Sequence, residues 1–417
     1  MKEKSISKIS YILMSLLFLC VGITLICYNT SYITLFHLLT SILIIALGCI
    51  TLVLNLVKEF KLKDIAISIL TLIIGLFFFN NKAKFLSLFP IVFGLYMLLN
   101  GIIKIITYIV FKMQNKTSIG ILFGSIIDLI FSFIMITQPS KNVKTLTIIL
   151  GIYLILFGIT YLKDFIRECF PQKYNNKRGI RITLPVILSF LIPYTVLLKI
   201  NKLLEDWKTP VNLDNKNASG NVDLEILIHV KDTKIGRFGH ADLCYKDKVY
   251  SYGCYDEESK KLFESLGSGT LFNIDGKEKY IKYCNTHSDK TIFCFGLTLS
   301  EKQKEKVENK LKEIESHLYK WNPKEKKKNK DRKNSYANEL IKETNAEFYK
   351  FNDTSYKTYF LLSTNCVKLV DDIVGVTGSD ILKINGVITP GTYYEYLERE
   401  FKRKNSNVIS KQIYTNK

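Results

Sequence analysis

The residues Gly94-Leu-Tyr-Met-Leu-Leu-Asn-Gly101 recur 57 positions later as Gly151-Ile-Tyr-Leu-Ile-Leu-Phe-Gly158, and they decide the architecture of the first half of the chain. The correspondence runs without a gap over 68–101 and 125–158, and a weaker copy covers about 16–48. Each Gly-x-Tyr-x4-Gly segment places two glycines seven residues apart on one helix face. Close helix packing in lipid needs small residues at such positions. The sequence therefore predicts three helical hairpin repeats.

Six apolar stretches accompany this motif, each near the roughly 20 residues that a membrane-spanning helix needs. They lie near 9–27, 33–57, 65–79, 86–111, 118–137 and 143–162. Over about residues 10–165, these hairpins with their closing glycine helices resemble the HdeD-like family of short-repeat membrane proteins. The resemblance implies an all-α polytopic domain of six helices over 1–165, and it carries no catalytic residues with it.

Charge and apolar residues are segregated along the chain. The 417 residues carry a formal charge of +20 and are 23% charged, yet the mean hydropathy is +0.11. Up to residue 200 there are 20 Lys and Arg against 6 Asp and Glu, and positive charge beside apolar segments fixes membrane topology. This pattern excludes a purely cytosolic enzyme, a disordered chain and a disulfide-rich miniprotein. We expect a lipid bilayer as partner and no nucleic acid.

The same charges predict a plasma-membrane protein with a cytoplasmic N-terminus, because fourteen Lys and Arg then lie inside and four outside. A basic segment over 166–202 follows, and it contains seventeen apolar or neutral residues at 182–198. These form either a seventh transmembrane helix or an interfacial helix. The sequence favours crossing, which would place the following domain outside the cytoplasm. The five cysteines of that domain instead suit a reducing compartment, so both sides stay open.

Asp128 and Lys104 are the ionisable residues inside the predicted spans. A charge within the membrane is by default a functional hypothesis. We find no evident basic partner at the depth of Asp128, so the residue supports a transport function weakly, and burial between helices with a hydrogen bond is the alternative.

Beyond a polar linker over 203–222, residues 223–417 have the alternating pattern of an α+β domain. We predict strands at 224–228, 238–245, 249–253 and 291–295, with a turn at Lys246-Asp-Lys248 between the second and third. Ser300 is a candidate N-cap for a helix reaching Trp321. The apolar stripe of that helix comprises Val307, Leu311, Ile314, Leu318 and Trp321.

Cys366 is the candidate nucleophile. The apolar spacing after it predicts a helix that Ser363 or Thr364 could cap, which places Cys366 in the first turn. The helix dipole and the unpaired N–H groups there stabilise a thiolate. A base is also needed, and His240 fits because it follows Gly239 in an alternating strand. His317 lies on the predicted helix, away from its apolar stripe, and is discounted.

The segments Phe238–Leu243, Val249–Gly253 and Tyr359–Cys366 resemble the circularly permuted papain-like superfamily, which includes NlpC-type peptidases and lecithin:retinol acyltransferase-like proteins. The resemblance covers about 222–400 and includes a closing helix at 389–397. It implies that Cys366 attacks a carbonyl and that His240 moves the proton. The family's third polar residue has no evident equivalent. In a hairpin of even offset Tyr252 shares the face of His240 and Ser251 points away, so Tyr252 is the candidate.

These observations predict a membrane-anchored cysteine peptidase or amidase that acts on peptide, including cell-wall peptide, through Cys366, His240 and Tyr252. A thiol acyltransferase or a hydrolase of lipid esters or thioesters, with a lipid-linked substrate, is one alternative. A noncatalytic scaffold or transporter with a binding domain, or a pseudoenzyme, is another. The spacing of Cys284, His287 and Cys294 fits no common zinc site, and we expect no metal or cofactor. The oligomeric state stays open.

Overall fold

The computed structural model divides the chain into two compact units, which we describe separately. The described residues are 2–27, 31–58, 62–113, 119–139, 143–170, 211–214, 220–230, 239–262, 264–287, 290–323, 335–362, 364–379, 389–403 and 406–415. The predicted seventh segment at 182–198 lies outside them, as does most of the linker over 203–222.

Within the described residues, the first part of the chain forms six helices, which confirms its predicted helical character. They are α1 Lys2–Cys27, α2 Ser31–Lys58, α3 Leu62–Asn80, α4 Lys82–Met113, α5 Ile119–Thr137 and α6 Val143–Cys169. Three described stretches are long and apolar enough to cross a membrane: Lys82–Val110, Ile119–Thr137 and Thr147–Arg167. The apolar stretches described in the other three helices are shorter.

The repeated glycines lie where helices of different repeats meet. A Cβ atom added to the glycine would lie within 2.8 to 3.0 Å of a leucine side chain in three equivalent pairs: Gly48 with Leu72, Gly101 with Leu129, and Gly158 with Leu19. Accordingly α2 packs on α3, α4 on α5, and α6 on α1. The glycines therefore join consecutive repeats, and the last repeat also contacts the first; we call this series the cyclic order of helix contacts.

Gly151 and Gly22 make the tightest backbone contact in this arrangement. A Cβ atom on Gly151 would lie 2.8 Å from the carbonyl oxygen of Gly22, and one on Gly22 would lie 2.7 Å from that of Gly151. We expect Gly151→Leu to lower the melting temperature of the detergent-solubilised protein, because the backbone must shift at a cost of about 1–3 kcal/mol. Gly120→Leu is the control, since nothing lies within 4 Å of its added Cβ. Equal melting temperatures for the two variants would contradict this packing.

Asp128 is buried and has partners on the neighbouring helix. Its Oδ2 atom lies 2.7 Å from Nζ of Lys104 and accepts a hydrogen bond of 2.6 Å from Nδ2 of Asn100. The expectation that Asp128 lacks a basic partner is therefore wrong. The contact forms because α4 and α5 are adjacent, which brings the long side chain of Lys104 to Asp128.

The second unit is an α+β fold around an antiparallel sheet. Its described strands are β1 Val211–Asp214, β2 Leu224–Val230, β3 His240–Tyr245, β4 Lys248–Gly253, β5 Leu266–Ser268, β6 Thr270–Asp275, β7 Thr291–Leu297, β8 Leu318–Lys320, β9 Glu347–Phe351, β10 Thr358–Phe360 and β11 Val408–Tyr414. Nine of these form one sheet in the order β1-β11-β7-β2-β3-β4-β6-β9-β8, and β10 pairs with β5. The described helices are α7 Lys277–Thr286, α8 Glu301–Glu315, α9 Tyr336–Thr344, α10 Cys366–Val374 and α11 Pro390–Lys402.

Alternating residues of the central strands belong to two hydrophobic cores, one on each face of the sheet. Ile226 and Leu243 pack with residues of α8, α10 and α11. Leu227 and Cys244 pack with residues of α7 and α9 on the other face. Because side chains alternate along a strand, each central strand separates the helix that carries Cys366 from a second core.

Two local predictions need correction. The helix after Ser300 ends at Glu315, and Leu318–Lys320 instead forms β8, which pairs with β9. The turn between β3 and β4 holds two residues, Lys246 and Asp247, with φ of 51° and 62°. Two consecutive residues with positive φ make the tight hairpin turn that matches strand twist. This shorter turn changes which residues of β4 face His240.

Candidate active site

Gly239 allows β3 to begin close beside the neighbouring strand. Its φ is +79°, and an added Cβ atom would lie 3.1 Å from the carbonyl oxygen of His229 and 3.1 Å from Cβ of Pro390. A larger residue would be strained in this conformation and crowded by both neighbours. The glycine therefore lets His240 start the strand directly opposite His229, with which it is paired.

The hairpin register places Ser251, and not Tyr252, on the face of His240. Leu243 pairs with Tyr250 and Tyr245 pairs with Lys248, so continuing the register brings Ser251 opposite Asp242. The Ser251 Oγ atom lies 3.0 Å from Nε2 of His240. The expectation that Ser251 points away is wrong, because the two-residue turn gives the hairpin an odd offset.

Tyr252 lies in the core on the opposite face of the sheet, with Leu243 and Tyr250. Its hydroxyl donates a hydrogen bond of 2.9 Å to the carbonyl oxygen of Tyr356. The structure thus brings Cys366 and His240 together but does not place the Tyr252 hydroxyl against His240.

Asp242, and not Tyr252, lies against His240. Its Oδ1 atom lies 2.8 Å from Nε2 of His240, and the carboxylate is fully buried. The hydroxyl of Tyr255 approaches the same nitrogen at 3.2 Å. His240 and Asp242 are two residues apart on one strand, so alternation alone puts them on one face. That His-x-Asp spacing was the available sequence signal for this residue.

Cys366 is the first residue of α10, as predicted, but its cap is Asn365. The Oδ1 atom of Asn365 accepts a hydrogen bond of 3.1 Å from the backbone N–H of Lys368, and its Nδ2 donates to the carbonyl oxygen of Leu361 at 2.9 Å. Thr364 instead accepts a backbone hydrogen bond from Phe360, and Ser363 lies outside the described residues. The capped first turn directs backbone N–H groups toward the Cys366 position.

Cys366 lies close enough to His240 for its charge to act on the imidazole. Burial lowers the pKa of His240, but the charges of Asp242 and Cys366 outweigh it and raise that pKa to about 10. Burial likewise opposes the charge of Asp242, yet His240 and His229 hold the pKa of that carboxyl well below its usual range. The cluster therefore favours an imidazolium at His240 opposite the Asp242 carboxylate, with Cys366 beside the imidazolium. A thiol next to a histidine cation is suited to act as a nucleophile.

Histidine, cysteine and aspartate side chains, which form this cluster, are also residue types that bind metal ions. Within the described ranges, no three His, Cys, Asp or Glu side chains are grouped so that they could hold a metal ion.

The repeat family is found in the helical half. A family model described as a short repeat of unknown function (DUF308) matches residues 66–137 and 123–176. The match agrees with the HdeD-like interpretation, and the matched residues include the three candidate spans. The chain is a membrane protein. Its helical half carries this short repeat, and an α+β region with an antiparallel sheet follows. No curated protein and no solved structure matches the chain.

His229 gives the second unit a defined sensitivity to acid. Burial lowers the pKa of His229 to about 4, so the fold favours its neutral form, whereas the unfolded residue takes up a proton near pH 6.5. The stability from this group is complete above pH 6.5 and is lost as the pH falls from 6.5 toward 4. The loss amounts to about 3 kcal/mol.

We expect denaturant unfolding, followed by the fluorescence of Trp321 in a Trp207→Phe background, to report this loss between pH 7 and pH 4. Trp321 packs on Phe348 within the domain core. His229→Gln cannot titrate and should lose less stability over the same range. An identical loss in both proteins would show that His229 does not carry the effect.

Proposed function

We propose that residues 223–417 form a membrane-anchored, cysteine-dependent hydrolase of amide bonds, a peptidase or amidase. The observation that carries this proposal is the grouping of three residues. Cys366 starts a capped helix and its charge acts on His240, whose Nε2 is 2.8 Å from the buried carboxylate of Asp242. The resemblance of Phe238–Leu243 and Tyr359–Cys366 to the permuted papain-like superfamily supports the same roles for Cys366 and His240.

In the proposed reaction, the Cys366 thiolate attacks the carbonyl carbon of the amide and a C–S bond forms. The His240 imidazolium gives its proton to the departing amine as the C–N bond breaks. The backbone N–H of Cys366 is placed to stabilise the oxyanion. Water then attacks the thioester while His240 takes its proton, which releases the carboxylic acid and restores the thiolate and imidazolium. Asp242 orients the ring throughout, because its Oδ1 lies 2.8 Å from Nε2.

The membrane helices suggest substrates near the bilayer, either peptide of the cell wall or a lipid-linked amide. Purified full-length protein in nanodiscs should be given a peptide library, N-acyl amides, lipid esters and thioesters, with products identified by mass spectrometry. Cleavage of amides with release of free acid supports the proposal. Transfer of an acyl group without hydrolysis would replace it with an acyltransferase. No turnover, together with slow alkylation of Cys366, would reject catalysis and favour a binding domain.

A further inference from the structure

The second oxygen of Asp242 has two partners that the proposed reaction does not use. Oδ2 lies 2.8 Å from Nε2 of His229 and accepts a hydrogen bond of 2.6 Å from the hydroxyl of Tyr280. His229 is 1% exposed and Tyr280 is fully buried. One carboxylate therefore joins two histidines, with His240 on its Oδ1 atom and His229 on its Oδ2 atom.

The two histidines differ in charge. The pKa of His240 is raised to about 10, whereas burial lowers that of His229 to about 4. At neutral pH the single negative charge of Asp242 thus faces one cation, and both groups on Oδ2 are neutral. Of the two histidines, only His240 therefore places a positive charge opposite Asp242.

His229 is held rigidly in this position. It is paired with His240 across β2 and β3, and its ring packs edge-to-face on Tyr280 with centroids 5.7 Å apart. Leu227 and Cys244, on the same face of the sheet, are apolar core residues. A buried carboxylate in such surroundings needs donors on both oxygens to keep its charge and its orientation. On the side away from His240, Tyr280 donates a hydrogen bond to Oδ2, and Nε2 of His229 lies 2.8 Å from the same oxygen.

We propose that His229, assisted by Tyr280, is a positioning residue that fixes the Asp242 carboxylate so that Oδ1 stays on His240. The inference rests on the proposed function, since it concerns the group that orients the base. His229 acts through Asp242 and touches neither the thiol nor the reacting atoms. The loss of the ring nitrogen that lies against Oδ2 would let the carboxylate turn away or take up a proton. Either change removes the negative charge that Asp242 presents to His240.

The test measures alkylation of Cys366 by iodoacetamide in the full-length protein from pH 5 to 11, mapped by mass spectrometry. In the wild type we expect an inflection near pH 10, where His240 loses its proton. In His229→Leu we expect the inflection to move to lower pH by about one unit or more. His229→Gln keeps an N–H near the Nε2 position, so its inflection should lie close to that of the wild type. Tyr280→Phe removes one donor and should give a smaller shift in the same direction.

The chain offers a matched control in an exposed histidine–aspartate pair. His317 lies 2.8 Å from Asp353, and His317→Leu should leave the profile unchanged. An unchanged inflection in His229→Leu, or a shift that Gln does not reverse, would overturn the positioning role. If His229→Leu does not fold, Tyr280→Phe and His229→Gln decide the matter between them. The proposed function would instead be rejected if the wild type showed no inflection and amide hydrolysis survived Cys366→Ala. Failure of the positioning role and failure of the proposed function therefore give different results.

Discussion

Cys366→Ala is expected to reduce amide hydrolysis by about 10⁴-fold or more, because it removes the only atom that forms a bond with the substrate in the proposed reaction. The change deletes a single sulfur atom from a buried site at the start of α10 and leaves the Asn365 cap intact. The measurement is the rate of product release by the full-length protein, with folding checked by its melting temperature.

Cys284→Ala is the matched control for this loss. Cys284 is another buried thiol of the same domain, and burial raises its pKa to about 11, so it is a poor nucleophile at neutral pH. It lies on α7 in the core on the other face of the sheet. We expect its variant to keep wild-type turnover per folded molecule. Turnover that persists in Cys366→Ala at the wild-type rate would eliminate the thiol mechanism.

Asp242→Asn should lower turnover at neutral pH by about 10²–10⁴-fold, because the substitution keeps the shape of the side chain but removes its charge. The negative charge of Asp242 is what opposes the burial of His240 and raises the pKa of that residue. Without it, burial prevails and the pKa of His240 falls. The activity of the wild type should decline above about pH 10 as His240 loses its proton, and in the variant that decline should begin about 1–3 pH units lower.

The control for the charge change is Asp275→Asn, at the exposed end of β6. It removes one carboxylate from the same domain without touching the cluster, and we expect both its rate and its pH profile to match the wild type. If Asp242→Asn lost activity while its profile kept the wild-type limits, Asp242 would be a structural residue and the assignment of the orienting group would be wrong.

The helices of the first half could largely be predicted from the sequence, but which helices pack on each other could not. The glycine spacing in 94–101 and 151–158 predicted close helix contacts, because small residues on one face have few other uses in lipid. The identity of the facing helix is a tertiary property that spacing does not encode. The same reason explains Lys104, whose contact with Asp128 depends on α4 lying beside α5.

In the second unit, the strands around His240 and the helix that begins at Cys366 followed from alternation and helical spacing. The third residue of the candidate site could not be predicted in this way, because the face on which each β4 side chain lies depends on the offset of the hairpin. A turn of two residues instead of three moves every β4 side chain to the other face, which exchanged Tyr252 for Ser251. The overlong helix has a similar origin, since Leu318 and Trp321 continue the helical spacing while the pairing of β8 with β9 overrides it.

The cyclic order of helix contacts also bears on how the chain is made. Ser15 on α1 donates a hydrogen bond of 2.9 Å to the carbonyl oxygen of Gly158 on α6, 143 residues further along the chain. Because α1 is synthesised before α6, the small-residue face of α1 is covered only after α6 has been made. Insertion of membrane helices and their assembly are separate events. A chain halted after α4 would therefore lack the helices that pack on the glycine-facing surfaces of α1 and α4.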